Sequence, residues 1–95
     1  GVGGGTLVGL ARLLIGETDP DAIDRLAAQG RHTAVNLTIG EIIGGAIGSL
    51  PPDTTAVNFG RVARTPVDAS PADMAAALVN MVAQVIAIVA INAAR

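Results

Sequence analysis

The chain has 95 residues and a net charge of −2, with 51% hydrophobic and 15% charged residues. That is apolar enough to drive collapse and exclude a disordered segment, and small enough for one modest core. The six basic residues are all Arg and scattered, and Phe59 is the one aromatic, so a nucleic acid finds neither a basic track nor a stacking platform.

The chain opens on Gly1-Val2-Gly3-Gly4-Gly5, read as a flexible turn, after which Thr6 caps a helix from about Leu7 to Ile15 that Gly16 ends. Asp19-Pro20-Asp21 starts a second helix: an N-cap, a Pro at the first helical position and acidic groups at the positive end of the dipole. It should run to about Gln29, with Gly30 just past its end. Val35, Leu37 and Ile39 alternate with polar or small residues and predict a short strand within Val35 to Ile43, with a helical turn at Glu41 to Ile43 as the competing reading. Gly44, Gly45, Gly48, Pro51 and Pro52 interrupt regular structure. Thr54 or Thr55 is expected to start a third helix, through Val57, Phe59 and Val62 to about Arg64.

The last element is the best marked. Ser70-Pro71-Ala72-Asp73 combines an N-cap, Pro at the first position and a carboxylate at the third. No charge follows from Met74 to Ala94, and a helix from Pro71 to Arg95 is about 37 Å long at roughly 1.5 Å per residue. Such a run can span a bilayer. Asn80, Gln84, Asn92 and the recurring Ala favour instead a helix buried inside a larger soluble domain.

One segment has a physical rationale for chemistry. Glycines let backbone N–H groups approach an anion, a following helix adds its positive end, and the Thr6 hydroxyl is a further donor. A P-loop needs a Lys, and this chain has none. A dinucleotide fingerprint needs Gly where Thr6 stands and a strand before it. The bland reading of the glycine run is a frayed end. No Cys is present, so disulfides, thiolate zinc sites and cysteine nucleophiles are excluded, and this usage fits the cytoplasm. His32 reads as a solvated loop residue, and Asp19, Asp21 and Asp24 as capping groups rather than metal ligands. Glu17 and Glu41 are too far apart in sequence to argue as a catalytic pair. Asn80 and Gln84, one turn apart, are expected to satisfy each other or nearby backbone. No catalytic residue and no metal site are assigned within this chain.

Gly3-Gly4-Gly5-Thr6-Leu7-Val8-Gly9-Leu10, with Leu13-Leu14 and Gly16, resembles the second phosphate motif of type II pantothenate kinases, in the actin-like ATPase and sugar kinase superfamily. Leu26-Ala27 to Gly30 and Thr33 resemble the family's A-x-x-G-[DN]-x-x-T stretch. Glu41-Ile42 with Gly44-Gly45 resembles its D-I-Y-G-G, and Ala56-Val57-Asn58-Phe59-Gly60 its A-[AS]-[NS]-F-G. The resemblance covers essentially the whole chain, the motifs falling in order and spacing. Arg31 stands where relatives usually carry an acidic or amide residue, Ile43 where they carry Tyr, and Pro20 where an aromatic commonly faces the nucleotide.

The resemblance implies an α/β fold of which residues 1–95 are one segment of a larger kinase domain, mostly α-helical with one short strand and a long C-terminal helix. It implies ATP- and magnesium-dependent phosphorylation of pantothenate to 4′-phosphopantothenate by a cytoplasmic homodimer, with no nucleic-acid or membrane partner. Gly3, Gly4, Gly5, Thr6, Leu7 and Val8 would line the ATP phosphates, and Thr55, Ala56 and Val57 would lie near the pantothenate of the partner subunit. A start inside a glycine run, with no initiator Met or signal-peptide shape, reads as an internal piece. By the resemblance, the general-base Glu and the pantothenate-gripping Arg would precede Gly1, a later nucleotide-binding turn would follow Arg95, and the piece alone would be inactive. Competing expectations are a kinase or ATPase of the same superfamily for another small molecule, a non-catalytic homologue serving as an oligomerisation or regulatory module, and a small membrane protein.

Overall fold

Residues 1–44 and 48–94 are described by the computed structural model. Gly45 and Arg95, which figured in the reading above, lie outside the described residues. The elements in order are α1 (Gly4–Ile15), α2 (Pro20–Gln29), a 3-10 turn (His32–Ala34), β1 (Leu37–Thr38), α3 (Ile39–Ile43), β2 (Thr55–Val57), α4 (Gly60–Arg64) and α5 (Pro71–Ala93).

Three helices make the core. α5 packs on α2 and α1, and Ala11, Ile23, Ala75 and Leu78 meet at the centre, each fully buried. Leu7, Leu10, Leu26, Phe59 and Met81 pack around them. Burying Ile23 and Leu78 stabilises the fold by about 1.5–3 kcal/mol each. The small Ala positions let the helix axes approach closely enough for those two side chains to interlock.

α1 starts earlier than expected. Gly4, Gly5 and Thr6 are helical, and Gly3 is the extended N-cap. Glycine disfavours helix by about 1 kcal/mol per residue, but the apolar face of α1 docks on the core and carries the first turn with it. Gly16, left-handed at φ 69°, ends the helix. Asp19 caps α2 as its sequence demands, its Oδ1 accepting the Asp21 N–H at 3.0 Å. Gly30 ends α2 for a different reason than a left-handed turn. Its backbone is extended (φ −100°), and a Cβ there would lie 1.9 Å from the Ala72 carbonyl oxygen. The start of α5 passes too close for any side chain.

The middle of the chain corrects two expectations. The strand foreseen in Val35 to Ile43 is only Leu37–Thr38, because Thr38 and Glu41 form a reciprocal capping box that starts α3. The helix foreseen from Thr54 or Thr55 is instead strand β2, antiparallel to β1 with Leu37 opposite Val57 and Thr38 opposite Thr55. That register leaves Ala56 as an extra residue, a bulge. β-branched Thr55 and Val57 suit an extended partner once β1 is there to pair with. α4 follows only after Phe59, held at φ 58°, a left-handed conformation costing about 1–2 kcal/mol outside glycine.

α5 opens with the expected box. Ser70 Oγ accepts the Asp73 N–H at 3.1 Å, and Asp73 Oδ2 accepts the Ser70 N–H at 3.2 Å. Its first half is buried at Ala75, Ala77, Leu78 and Val82, whereas Ile86, Ile88, Val89 and Ile91 in its second half are exposed. The helix is long and apolar enough to cross a membrane by length and composition, with a mean hydropathy of 2.3.

Candidate nucleotide-phosphate site

The glycine run lies at the open end of α1. In any α-helix the first amides have no acceptor one turn back. Here the Leu7 N–H closes the first turn on the Gly3 carbonyl at 3.1 Å, and the Gly3 N–H goes to Thr6 Oγ1 at 3.2 Å. The amides of Gly4, Gly5 and Thr6 remain directed along the axis, with the positive end of the helix behind them. Thr6 Oγ1 accepts from Gly3, so its own proton is left to donate outward.

Conformation does not demand glycine here: neither Gly3, Gly4 nor Gly5 has a left-handed backbone. Packing within these residues does not demand it either. A Cβ at Gly3, Gly4, Gly5 or Gly9 would meet nothing within 4 Å. Bare backbone at these positions therefore leaves room for a group to approach the amides closely. Just before it, Gly1 and Val2 border a cleft of about 350 Å³ against Val85, Ile86, Val89 and Ala90 of α5.

Thr55, Ala56 and Val57 belong to a different part of the molecule. Ala56 and Val57 are exposed, and Thr55 is half-buried. Thr55 bonds to His32 and Asn80, and no hydrogen bond among the described residues joins β2 to Gly3–Val8. His32 and Asn80 also line a cleft of about 700 Å³ between the end of α2 and α5, with Arg31, Thr33 and Asp24.

Several residues take roles that differ from the sequence reading. His32 is not solvated loop: it is half-buried in the 3-10 turn, with Nδ1 3.2 Å from Asn36 Nδ2 and 3.3 Å from Thr55 Oγ1. Asn80 does not pair with Gln84, since its Nδ2 donates to Thr55 Oγ1 at 3.1 Å. Asn36, one of the polar residues that alternate with Val35 and Leu37, is fully buried. Arg61 fastens α4 to the preceding segment, donating from Nε to the Thr33 carbonyl at 3.0 Å and from Nη2 to the Asn36 carbonyl at 3.2 Å and to Glu41. That Arg61 contact, with help from Thr38, holds the Glu41 carboxyl below its ordinary 4.5.

Helices over a two-stranded antiparallel ribbon, opened by a glycine-led helix and closed by a long apolar one, make this a helix-rich segment of an α/β fold. The chain belongs to the Fumble family, which it matches over residues 1–95, and that family has the actin-like ATPase fold. It is 44% identical over 84 residues to pantothenate kinase 1 of rice (Oryza sativa subsp. japonica), covering 83% of this chain and 12% of that protein. It is 38% identical over 96 residues to the type II pantothenate kinase of Staphylococcus haemolyticus, covering 100% of this chain and 36% of that protein. With the type II pantothenate kinase of Bacillus cereus strain G9842 the identity is 34% over 86 residues, covering 90% of this chain and 32% of that protein. The chain thus spans roughly a third or less of these relatives' length.

Proposed function

We propose that the intact protein containing this segment is an ATP-dependent kinase that phosphorylates pantothenate to 4′-phosphopantothenate, and that Gly3, Gly4, Gly5, Thr6, Leu7 and Val8 hold the nucleotide phosphates. The protein acts as a cytoplasmic homodimer, with Thr55, Ala56 and Val57 beside the pantothenate of the partner subunit. The family match and the names of the relatives support the reaction. One observation carries the phosphate role: a helix N-terminus with unpaired amides built from glycines that neither conformation nor local packing requires.

Phosphoryl transfer runs on positioning and on stabilising charge at the phosphate oxygens. The amides of Gly4, Gly5 and Thr6 and the Thr6 hydroxyl would supply four donors to the polyphosphate, and the α1 dipole would favour its negative charge. Magnesium would neutralise the same oxygens. This segment's part in that arrangement is to cradle the phosphates. The 95 residues alone, about a third or less of the relatives' length, are expected to be inactive.

The test is Gly4→Val and Gly5→Val in the intact kinase, with steady-state kinetics in both substrates. A branched Cβ at the helix start would block the amides, so KM for ATP should rise about tenfold or more while KM for pantothenate holds. Unchanged ATP kinetics in both folded variants would remove the phosphate role. Failure of the unmodified kinase to phosphorylate pantothenate would remove the acceptor.

A further inference from the structure

Asn36 is polar, fully buried, and engaged at both ends of its amide. Its Oδ1 accepts the Phe59 N–H at 2.8 Å. With the oxygen so used, Nδ2 is the donor towards His32 Nδ1, 3.2 Å away. His32 Nδ1 is therefore an acceptor, with the ring proton on Nε2. It also receives the Thr55 hydroxyl at 3.3 Å, whose oxygen accepts from Asn80 Nδ2 of α5 at 3.1 Å. A chain of side chains thus grips the two ends of one short segment, Thr55 at its start and Phe59 at its finish.

Between those fixed ends lie the bulged Ala56 and the exposed Val57. Phe59 is held left-handed, and Gly60 has no space for a side chain, since a Cβ would come 2.7 Å from Val57 Cβ. An apolar side chain at position 36 would leave the Phe59 N–H without its acceptor, so the buried amide is what fixes that end of the segment. A bulge, a left-handed aromatic and a buried amide together are worth keeping where the shape of the exposed backbone matters.

We infer that Asn36, His32 and Asn80 are positioning residues that set the conformation of Ala56–Val57 against the phosphoryl acceptor, an inference that rests on assigning β2 to the acceptor side. They touch neither nucleotide nor acceptor and act through Thr55 and the Phe59 amide.

The experiment uses the intact kinase with His32→Leu, which removes the acceptor, and His32→Asn, whose amide oxygen can replace Nδ1. His32→Leu should raise KM for pantothenate about tenfold and leave KM for ATP within about twofold, with His32→Asn close to the parent. Hydrogen exchange at the Thr55–Phe59 amides should quicken in the Leu variant alone. A folded His32→Leu with unchanged pantothenate KM, or with both KM values rising together, would overturn the inference. Should His32→Leu not fold, Asn80→Ala at the far end of the chain is held to the same criteria. If the parent enzyme ignores pantothenate, the acceptor assignment falls separately, and exchange decides the bracket: quickening at Thr55–Phe59 sustains it, and no change ends it.

Discussion

At the scale of single residues, two carboxylates do more than their place in the sequence announces. Asp73 closes the α5 capping box and also reaches across to the segment that follows α2, its Oδ1 accepting the Arg31 N–H at 2.9 Å. The Arg31 amide first, then the Ser70 amide, hold its carboxyl below the ordinary 3.8. A depressed carboxylate favours the folded state when ionised, so this contribution is present above the unfolded value and fades as pH falls through the folded one. Asp73→Asn keeps one acceptor of two and should cost about 1 kcal/mol at neutral pH on the capping scale. The gap from the parent should close as pH falls below the ordinary 3.8 and through the lowered folded value, as followed by denaturant unfolding against pH. Glu41 obeys the same sign through Arg61 and Thr38. Glu41→Gln should lower the unfolding midpoint at neutral pH and converge with the parent in acid. A pH-independent gap would reassign either carboxylate to packing.

At the scale of elements, the meeting of α2 and α5 is set by one missing side chain. The Ala72 carbonyl occupies the space a Cβ on Gly30 would need, so Gly30→Ala must push apart the two helices that share Ile23 and Leu78. Overpacking of this kind costs about 1–3 kcal/mol, and thermal unfolding of the intact protein should show it. A neutral Gly30→Ala would mean the helices meet less closely than described. The same contrast shows what was legible. The starts of α2 and α5 were readable because a cap, a Pro and an acidic residue act within one turn. The reason for Gly30 was not, because the atom that excludes a side chain there belongs to a helix more than forty positions away.

At the scale of the whole molecule, α5 divides into a half that carries the core and a half that presents Ile86, Ile88, Val89 and Ile91. Apolar side chains exposed all round a helix end in this way mark a contact surface, in keeping with a chain that spans about a third or less of its relatives. The isolated 95 residues should therefore bind an apolar fluorescent dye strongly, and Ile88→Glu with Ile91→Glu should abolish most of that signal without unfolding the core. An intact protein that bound the dye equally well would show that this surface stays open.

The sequence by itself determined the helix-rich class, the capped helices α2 and α5 and the kinship with pantothenate kinases, since all of these depend on neighbours in the chain or on ordered short motifs. Only the tertiary structure decided that Thr55–Val57 is a strand, that Asn36 is buried and that His32 and Asn80 converge on Thr55. Strand pairing and buried polar partners are settled by residues some twenty-five positions away. Local propensity carries no information about which distant group will arrive.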